Sequence, residues 1–173
     1  MYNGFMDELR KITACFTGHR PQRFEWGYDE RDTRFELLLA KIRDRITAAA
    51  ERGFTRFICG GAIGTDIWCG ETVLELRDIR GGIELEVVVP CAGQDRGWPV
   101  EARIRYGELL ERAGDVTVLN RHYTRTCMME RNHNMVSRSG LVIAVFDGVR
   151  SGGTWQTIKM AMRDGVELDI INP

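Results

Sequence analysis

Short apolar runs alternate along the chain with longer segments in which apolar residues recur at helical spacing. The first pair is the run 12–17, which Gly18 closes, and the segment 33–52, whose pattern stops at Gly53. A short unbroken apolar run is typical of a buried strand, whereas an apolar period of three to four residues over a longer stretch is typical of a helix. The pattern therefore predicts a strand followed by a helix.

The same pairing continues to the end of the chain. Further strands are predicted at 55–59, 83–90, 115–119, 141–146 and 168–171, and further helices at 63–77, 99–112, 128–139 and 154–163. Alternating strands and helices give a parallel sheet covered on both faces, because each right-handed crossover places its helix on a face. We expect one α/β domain over 1–173, with three layers, about six mostly parallel strands and a lead segment at 1–11.

Composition narrows the class of protein. The 173 residues are 43% hydrophobic and 28% charged, as in an ordinary globular domain. The apolar runs are far shorter than a membrane span, and the start "MYNGFMDELRK" carries two acids and lacks the apolar core of a secretory signal. We therefore expect a cytoplasmic protein that does not contact a membrane.

Charge and cysteine content argue against two further classes. A formal net charge of −1 provides no overall basic field, which argues against nucleic acid as the main partner. The cysteines lie scattered among apolar neighbours with no CxxC pair, so we expect buried thiols and no metal site. They are Cys15, Cys59, Cys69, Cys91 and Cys127.

Two glycine-rich loops follow predicted strands and precede predicted helices. One carries Gly60, Gly61 and Gly64, and the other carries Gly152 and Gly153. Glycine lets backbone amides approach an anion, and a helix N-terminus adds free N–H groups, so both loops are candidates for binding phosphate. Neither matches the Walker or dinucleotide-binding glycine pattern, and a plain tight turn is the alternative for each.

Hydroxyl, imidazole and guanidinium groups lie near these loops. Thr65 and Thr154 follow the two glycine sets and would either cap a helix or bind a phosphate oxygen. Arg20 after the first strand and Arg131 in the fourth helix suit bidentate phosphate binding; a solvated charge and a surface ion pair are their respective alternatives. His19 would bond phosphate or act as an acid, or would pack on Pro21. The candidates in the loop "TGHRP" are Thr17, Gly18, His19 and Arg20.

The remaining candidates would contact a ribose or a base, or take part in catalysis. Asp66 lies in the first turn of a helix, where it would serve as a favourable N-terminal charge or accept hydrogen bonds from ribose. Trp68 fits the core or a pocket wall better than a stacking platform, and Trp98 and Trp155 are placed to stack on a base. Cleavage of a glycosidic bond needs a carboxylate. The weak candidates are Asp66, Glu71, Glu130 and Asp147.

Four segments, "TACFTGHRP", "GGAIGTDIW", "MMERNHNM" and "VFDGVRSGGTWQTI", together resemble the YpsA-like family of the SLOG superfamily, which also includes the DprA/Smf and LOG proteins. The resemblance covers roughly residue 12 to the end. It implies a Rossmann-like sheet whose glycine loops bind a nucleotide or a related phosphorylated ligand. By this resemblance the phosphate-side positions are Gly60, Gly61, Gly64, Gly152, Gly153 and Thr154, and Asp66 and Trp68 belong to the pocket motif.

The sequence also departs from the LOG enzymes. "MMERNHNM" is similar to the LOG segment M-x-x-R-K-x-x-M and places Arg131 on its arginine, but Asn132 stands where LOG has lysine. LOG enzymes carry P-G-G-x-G-T-x-E-E, whereas "SGGTWQTI" has Gln156 and Thr157 and no acid. This departure argues against phosphoribohydrolase activity and leaves ligand binding intact.

The first hypothesis is therefore a sensor or regulator that binds ADP-ribose, NAD or a nucleoside phosphate, with roles in stress or cell division implied by the resemblance. The alternative is a phosphoribohydrolase that cleaves the N-glycosidic bond of a nucleotide, and the third is a single-strand DNA-binding protein. No cofactor is expected beyond the nucleotide-type ligand, and a homo-oligomer is expected because relatives often pair.

Overall fold

Six strands and six α-helices alternate along the chain in the computed structural model, which describes the backbone of residues 2–173 and the side chains of residues 7–173. The strands are β1 Thr13–Gly18, β2 Arg56–Cys59, β3 Glu84–Val89, β4 Asp115–Val118, β5 Leu141–Val145 and β6 Glu167–Ile171. The helices are α1 Tyr2–Lys11, α2 Thr33–Glu51, α3 Thr65–Arg80, α4 Val100–Arg112, α5 Cys127–Ser137 and α6 Gly152–Arg163. A turn of 3-10 helix at Pro21–Arg23 lies between β1 and α2.

The strands form one sheet in the order β4-β3-β2-β1-β5-β6, and every neighbouring pair is parallel. The prediction of a Rossmann-like α/β fold is confirmed, with a sheet that is entirely parallel. Apolar side chains alternate between the two faces of β1, so that Ala14 and Phe16 lie in one buried cluster and Cys15 in the other. Helices α2, α3 and α4 cover the first face, and α5 and α6 cover the second.

Helix α3 begins later than the pattern predicted. The pattern predicts a start at residue 63, but Gly64 has a φ of 97°, outside the right-handed helical region, and the helix starts at Thr65. It also runs three residues beyond the predicted end, to Arg80, before Gly81 stops it with a φ of 66°. The loop after β2 is therefore longer than expected and reaches the edge of the sheet as non-helical backbone.

Helix α1 lies in the segment 1–11, for which the sequence pattern predicts neither a helix nor a strand. Its C-terminal end is fastened by Arg10, whose Nε donates to the Ser139 carbonyl at 3.0 Å and whose Nη2 donates to the Asp164 carbonyl at 3.2 Å. These bonds hold α1 at the edge of the sheet where the strands begin.

One carboxylate is buried in the sheet. Glu86 of β3 is almost fully enclosed, and Arg138 donates to it twice, at 2.7 and 2.6 Å. Arg56 adds a third contact at 3.2 Å. A buried carboxylate needs such partners, because burial without them costs several kcal/mol. This ion pair holds the loop after α5 against the sheet.

All five cysteines are buried and unpaired. In the part of the chain that the structure describes, no helix is long and apolar enough to cross a membrane.

Candidate functional site

The strand order reverses at β1. The chain builds β2, β3 and β4 outward on one side of β1 and then returns to add β5 and β6 on the other. Where the order reverses, the loops after neighbouring strands diverge and leave a crevice beyond the carboxyl ends. A cavity of about 320 Å³ lies there, between the end of β1, the loop after β2, helix α5 and the start of α6. We call it the switch-point cavity.

The end of β1 forms one wall of this cavity with Thr17, Gly18, His19 and Arg20. A Cβ atom at position 18 would lie 2.4 Å from Cγ2 of Thr65, so glycine is what lets the first turn of α3 pack on the strand end. The Thr65 hydroxyl donates to the His19 carbonyl at 2.9 Å. The hydroxyl of Thr65 thus joins α3 to β1, although its residue also lines the cavity.

A buried ion pair forms the floor. Nη1 of Arg131 lies 3.3 Å from Oδ2 of Asp66, and the two residues are only 7% and 8% exposed. Gly60 makes room for it, because a Cβ atom at that position would lie 1.4 Å from Nη1. Burial raises the pKa of Asp66, and the Arg131 charge and the Ala62 N–H, which donates to the same oxygen at 3.2 Å, oppose the rise. The ion pair of Arg131 is therefore buried and joins α5 to α3, unlike the surface pair considered as its alternative.

The guanidinium of Arg131 is oriented by a chain of polar contacts. Its Nε donates to the side-chain oxygen of Asn132 at 2.7 Å, and the amide nitrogen of Asn132 donates to the Thr157 hydroxyl at 2.9 Å. Within residues 7–173, Nη2 of Arg131 makes no hydrogen bond. Because Arg131 and Asn132 both line the cavity, this N–H group is available to an anion there.

His19 lies between two aromatic rings, 6.0 Å from Phe24 and 5.9 Å from Phe146 by ring centroids. Burial lowers its pKa, and the neighbouring Asp147 carboxylate, 3.1 Å from Nε2, opposes the shift. In the neutral ring, Nε2 accepts the backbone N–H of Asp147 at 3.2 Å, and Nδ1 lies 3.4 Å from the Thr154 hydroxyl. His19 thus links the ends of β1 and β5 to the start of α6.

The N-terminus of α6 closes the cavity with Gly153 and Thr154. The preceding residue, Ser151, makes no side-chain capping bond, so the N–H groups of the first turn have no capping side chain. A Cβ atom at position 153 would meet nothing within 4 Å. Free N–H groups and the helix dipole favour an anion at this point. Gly152, with a φ of 79°, shapes the turn but does not line the cavity.

Five predicted ligand residues do not line the switch-point cavity: Gly60 and Gly152, placed above, and Gly61, Gly64 and Trp68. Gly61 has a φ of 60° and packs beside Tyr106, where a Cβ atom would come within 3.0 Å of the ring. Gly64 and Trp68 line a neighbouring apolar cavity of about 450 Å³. Trp68 is buried, and its Nε1 donates to Glu30 at 2.8 Å, so its structural place is the pocket wall and not a stacking platform.

The carboxylates considered for catalysis are dispersed. Glu71 is held by Arg105, whose Nε donates to it at 2.7 Å. Glu130 is exposed, and the hydrogen bond from Thr126 lowers its pKa. Among residues 7–173, Asp66 is the single carboxylate that lines the switch-point cavity.

Other residues of the cavity were missed by the sequence analysis. They are Phe16, Ala62, Ile63, Met128 and Asn132. Four are apolar and give no signal that separates a cavity wall from the core. Asn132 was noted only as a departure from a motif.

Of the two tryptophans considered for stacking, Trp155 packs on Phe146 and Trp98 packs edge-on against Tyr106.

Strand order and the position of the cavity define a Rossmann-like α/β protein with a ligand-sized opening at its switch point. Residues 14–171 match the sequence model of YpsA, described as the YspA SLOG family, and the chain belongs to this family. Two similar proteins are UPF0398 proteins of Bacillus thuringiensis (strain Al Hakam) and Bacillus cereus (strain AH187). Each is 27% identical over 158 residues, which cover 90% of this chain and 84% of the relative.

Two solved structures share the fold. DNA processing protein A (DprA) from Streptococcus pneumoniae superimposes with a TM-score of 0.64 at 17% identity, over 96% of this chain and 52% of that one. This chain thus spans about half the length of the pneumococcal protein. DprA from Helicobacter pylori, whose structure concerns its single-stranded DNA binding mode, superimposes with a TM-score of 0.57 at 16% identity, over 98% of this chain and 68% of that one. At these identities the likeness shows the fold alone.

Proposed function

We propose that this protein binds a nucleotide-type small molecule, such as ADP-ribose, NAD or a nucleoside phosphate, in the switch-point cavity, and that it acts as a sensor or regulator. One observation carries the proposal: Arg131, whose Nη2 makes no hydrogen bond within residues 7–173, lines the same cavity as the uncapped start of α6. A guanidinium and a helix N-terminus are the two groups that proteins use most directly to hold phosphate.

The size of the cavity supports a ligand of this class. Its volume of about 320 Å³ lies at the lower end of the range of about 300–1,000 Å³ that is typical of small-molecule sites. It suits a phosphate with its ribose, and the apolar cavity beside it, which shares Ile63, has room for a base. Asp66 is the acceptor that a ribose hydroxyl would meet.

Binding is tested by native mass spectrometry of the protein purified from cells and by calorimetry with AMP, ADP-ribose and NAD. The variant Gly153→Val adds a side chain at a residue that lines the cavity, and its Cβ would meet no atom within 4 Å beyond the neighbouring backbone of α6. We expect it to weaken binding by about tenfold or more, equivalent to at least about 1.4 kcal/mol. Gly107→Val is the matched control, because Gly107 lies in α4 and its Cβ direction is also open.

Failure of the whole panel to bind would refute the proposal. So would unchanged binding in Gly153→Val, provided that the variant folds as the control does. Loss of binding in both glycine variants would show a general effect on folding and not a blocked site.

Hydrolysis of the N-glycosidic bond is the second candidate function, and the position of Asp66 favours it. Asp66 lies on the cavity floor and burial raises its pKa, as is useful for an acid that assists a leaving group. Its contact with Arg131 places it beside the proposed phosphate position. Release of free base from AMP, abolished in Asp66→Asn while AMP still binds, would support this function. Turnover that persists in Asp66→Asn would reject the role of Asp66.

A further inference from the structure

Three arginines without a carboxylate partner among residues 7–173 line one cavity. They are Arg20, Arg96 and Arg121. Most other arginines of the described chain are engaged with acids, as Arg105 is with Glu71 and Arg138 with Glu86. Guanidinium groups without a counter-ion that line the same cavity repel one another, and an anion bound between them would offset this repulsion.

This arginine cavity, of about 560 Å³, lies between the loop after β3 and the loop after β4. The two loops are joined, because Ala92 N–H donates to the Asn120 carbonyl at 3.0 Å and the Asn120 side chain donates to the Pro90 carbonyl at 3.0 Å. No aspartate or glutamate within residues 7–173 lines the cavity. Its walls also include His122 and Tyr123, a residue that is 69% exposed.

The arginine cavity adjoins the switch-point cavity. Arg20 and Met128 line both, so the two cavities share these residues as a common wall. An anion in the switch-point cavity and an anion in the arginine cavity would therefore be neighbours with Arg20 between them. Consecutive phosphates of a phosphoanhydride are such a pair of linked anions.

We propose that the arginine cavity binds the second phosphate of a ligand that contains a phosphoanhydride, as a nucleoside diphosphate or a dinucleotide does. This proposal rests on the proposed function, in which the switch-point cavity holds the first phosphate. Arg96 and Arg121 contact the second phosphate, Arg20 bridges the two, and Tyr123 offers an apolar face to the group beyond. The loops 90–99 and 119–126 border the site.

Calorimetry at low salt with two pairs of probes tests the proposal: AMP against ADP, and inorganic phosphate against pyrophosphate. We expect ADP to bind about tenfold tighter than AMP, the gain that about 1.4 kcal/mol provides. The double variant Arg96→Gln/Arg121→Gln should lose most of this preference, and added salt should reduce it in the wild type. Arg80→Gln is the control, since Arg80 also lacks a carboxylate partner within the described side chains and ends α3, about 22 Å along the helix from Thr65.

The outcomes separate the two proposals. If AMP and ADP bind equally, the second-phosphate site is wrong while nucleotide binding stands. If AMP, ADP, ADP-ribose and NAD all fail to bind, but pyrophosphate binds more tightly than phosphate and depends on Arg96 and Arg121, the site stands and nucleotide binding fails. If neither pyrophosphate nor ADP shows the preference and a short oligothymidylate binds in an Arg121-dependent way, the cavity serves nucleic acid and the proposal is overturned. If none of these probes binds, and ADP-ribose and NAD also fail to bind, both proposals are refuted.

Discussion

Replacing Arg131 by glutamine should destabilise the protein because it leaves the Asp66 carboxylate buried without its cation. At the observed separation of 3.3 Å and an effective dielectric constant of about 20, the attraction between the two charges is about 5 kcal/mol. Burial of both charges offsets part of that attraction. Removal of one partner from a buried pair typically costs about 3–5 kcal/mol, and we expect about 3 kcal/mol here because the pair borders a cavity and is not packed on every side.

The double variant Arg131→Gln/Asp66→Asn separates the ion pair from simple loss of packing. It leaves two neutral side chains, so the double variant should be less destabilised, by about 2 kcal/mol, than the two single destabilisations added together. A coupling of this size is within the range measured between contacting residues. Urea denaturation followed by far-ultraviolet circular dichroism provides the values, and Arg80→Gln controls for loss of an arginine that has no such partner.

A cost below about 1 kcal/mol for Arg131→Gln, or single effects that add to within about 0.5 kcal/mol, would refute the buried-pair interpretation. The single variant Asp66→Asn has a second use. It keeps the guanidinium and removes the competing carboxylate, so inorganic phosphate should bind more tightly to this variant than to the wild type.

Three further predictions concern stability. His19 has a lowered pKa in the folded state, so near and below pH 6.5, the ordinary pKa of histidine, the unfolded chain binds more protons than the folded one. The free energy of unfolding should therefore fall as the pH drops from 7.5 to 5, and this pH dependence should be weaker in His19→Gln. Gly18→Ala should cost about 1–3 kcal/mol in urea denaturation because its Cβ would overlap Thr65. Glu86→Gln should cost about 3 kcal/mol in the same assay, since Arg138 then stays near the sheet without a carboxylate.

Each of these has a matched control in the same chain. His133→Gln, on the exposed side of α5, should leave the pH profile unchanged. Gly153→Ala should cost little, because that Cβ would meet open space. Glu84→Gln changes an exposed carboxylate two residues before Glu86 in β3 and should be nearly neutral. If a control variant changes the free energy of unfolding, or its pH dependence, as much as its test variant does, the corresponding contact is contradicted.

The order of strands and helices was predictable from the sequence because a fully buried parallel sheet requires unbroken apolar strands such as 141–145. Helix ends were less predictable, since they depend on backbone conformation. The apolar spacing continued through Ile63, and only the positive φ of Gly64 shows that the helix begins after it. Helix α1 was not predicted, although Tyr2, Phe5 and Leu9 recur at helical spacing, because the segment is short and contains Asn3 and Gly4, which disfavour a helix.

The loops that form the site were predictable from the sequence, but the contacts between their side chains were not. Parallel topology alone brings the loops after β1 and β2 to one edge, which is why Thr17 and Thr65 lie together. The partner of Asp66 was not predictable, because Arg131 is 65 positions away on another helix. Sequence spacing identifies neighbours only within one helix, and for the same reason the engagement of Glu71 by Arg105 of α4 was missed.

The close approach of Gly60 to Arg131 sets a rule for comparing related sequences. Since any Cβ atom at position 60 would fall 1.4 Å from the guanidinium nitrogen, a chain cannot keep both a side chain at this position and the arginine in this pose. The two positions are expected to covary: a relative that has alanine or serine at 60 should also have lost the arginine or rotated it away. Substitutions at position 60 would therefore report on the floor of the cavity in chains for which no structure exists.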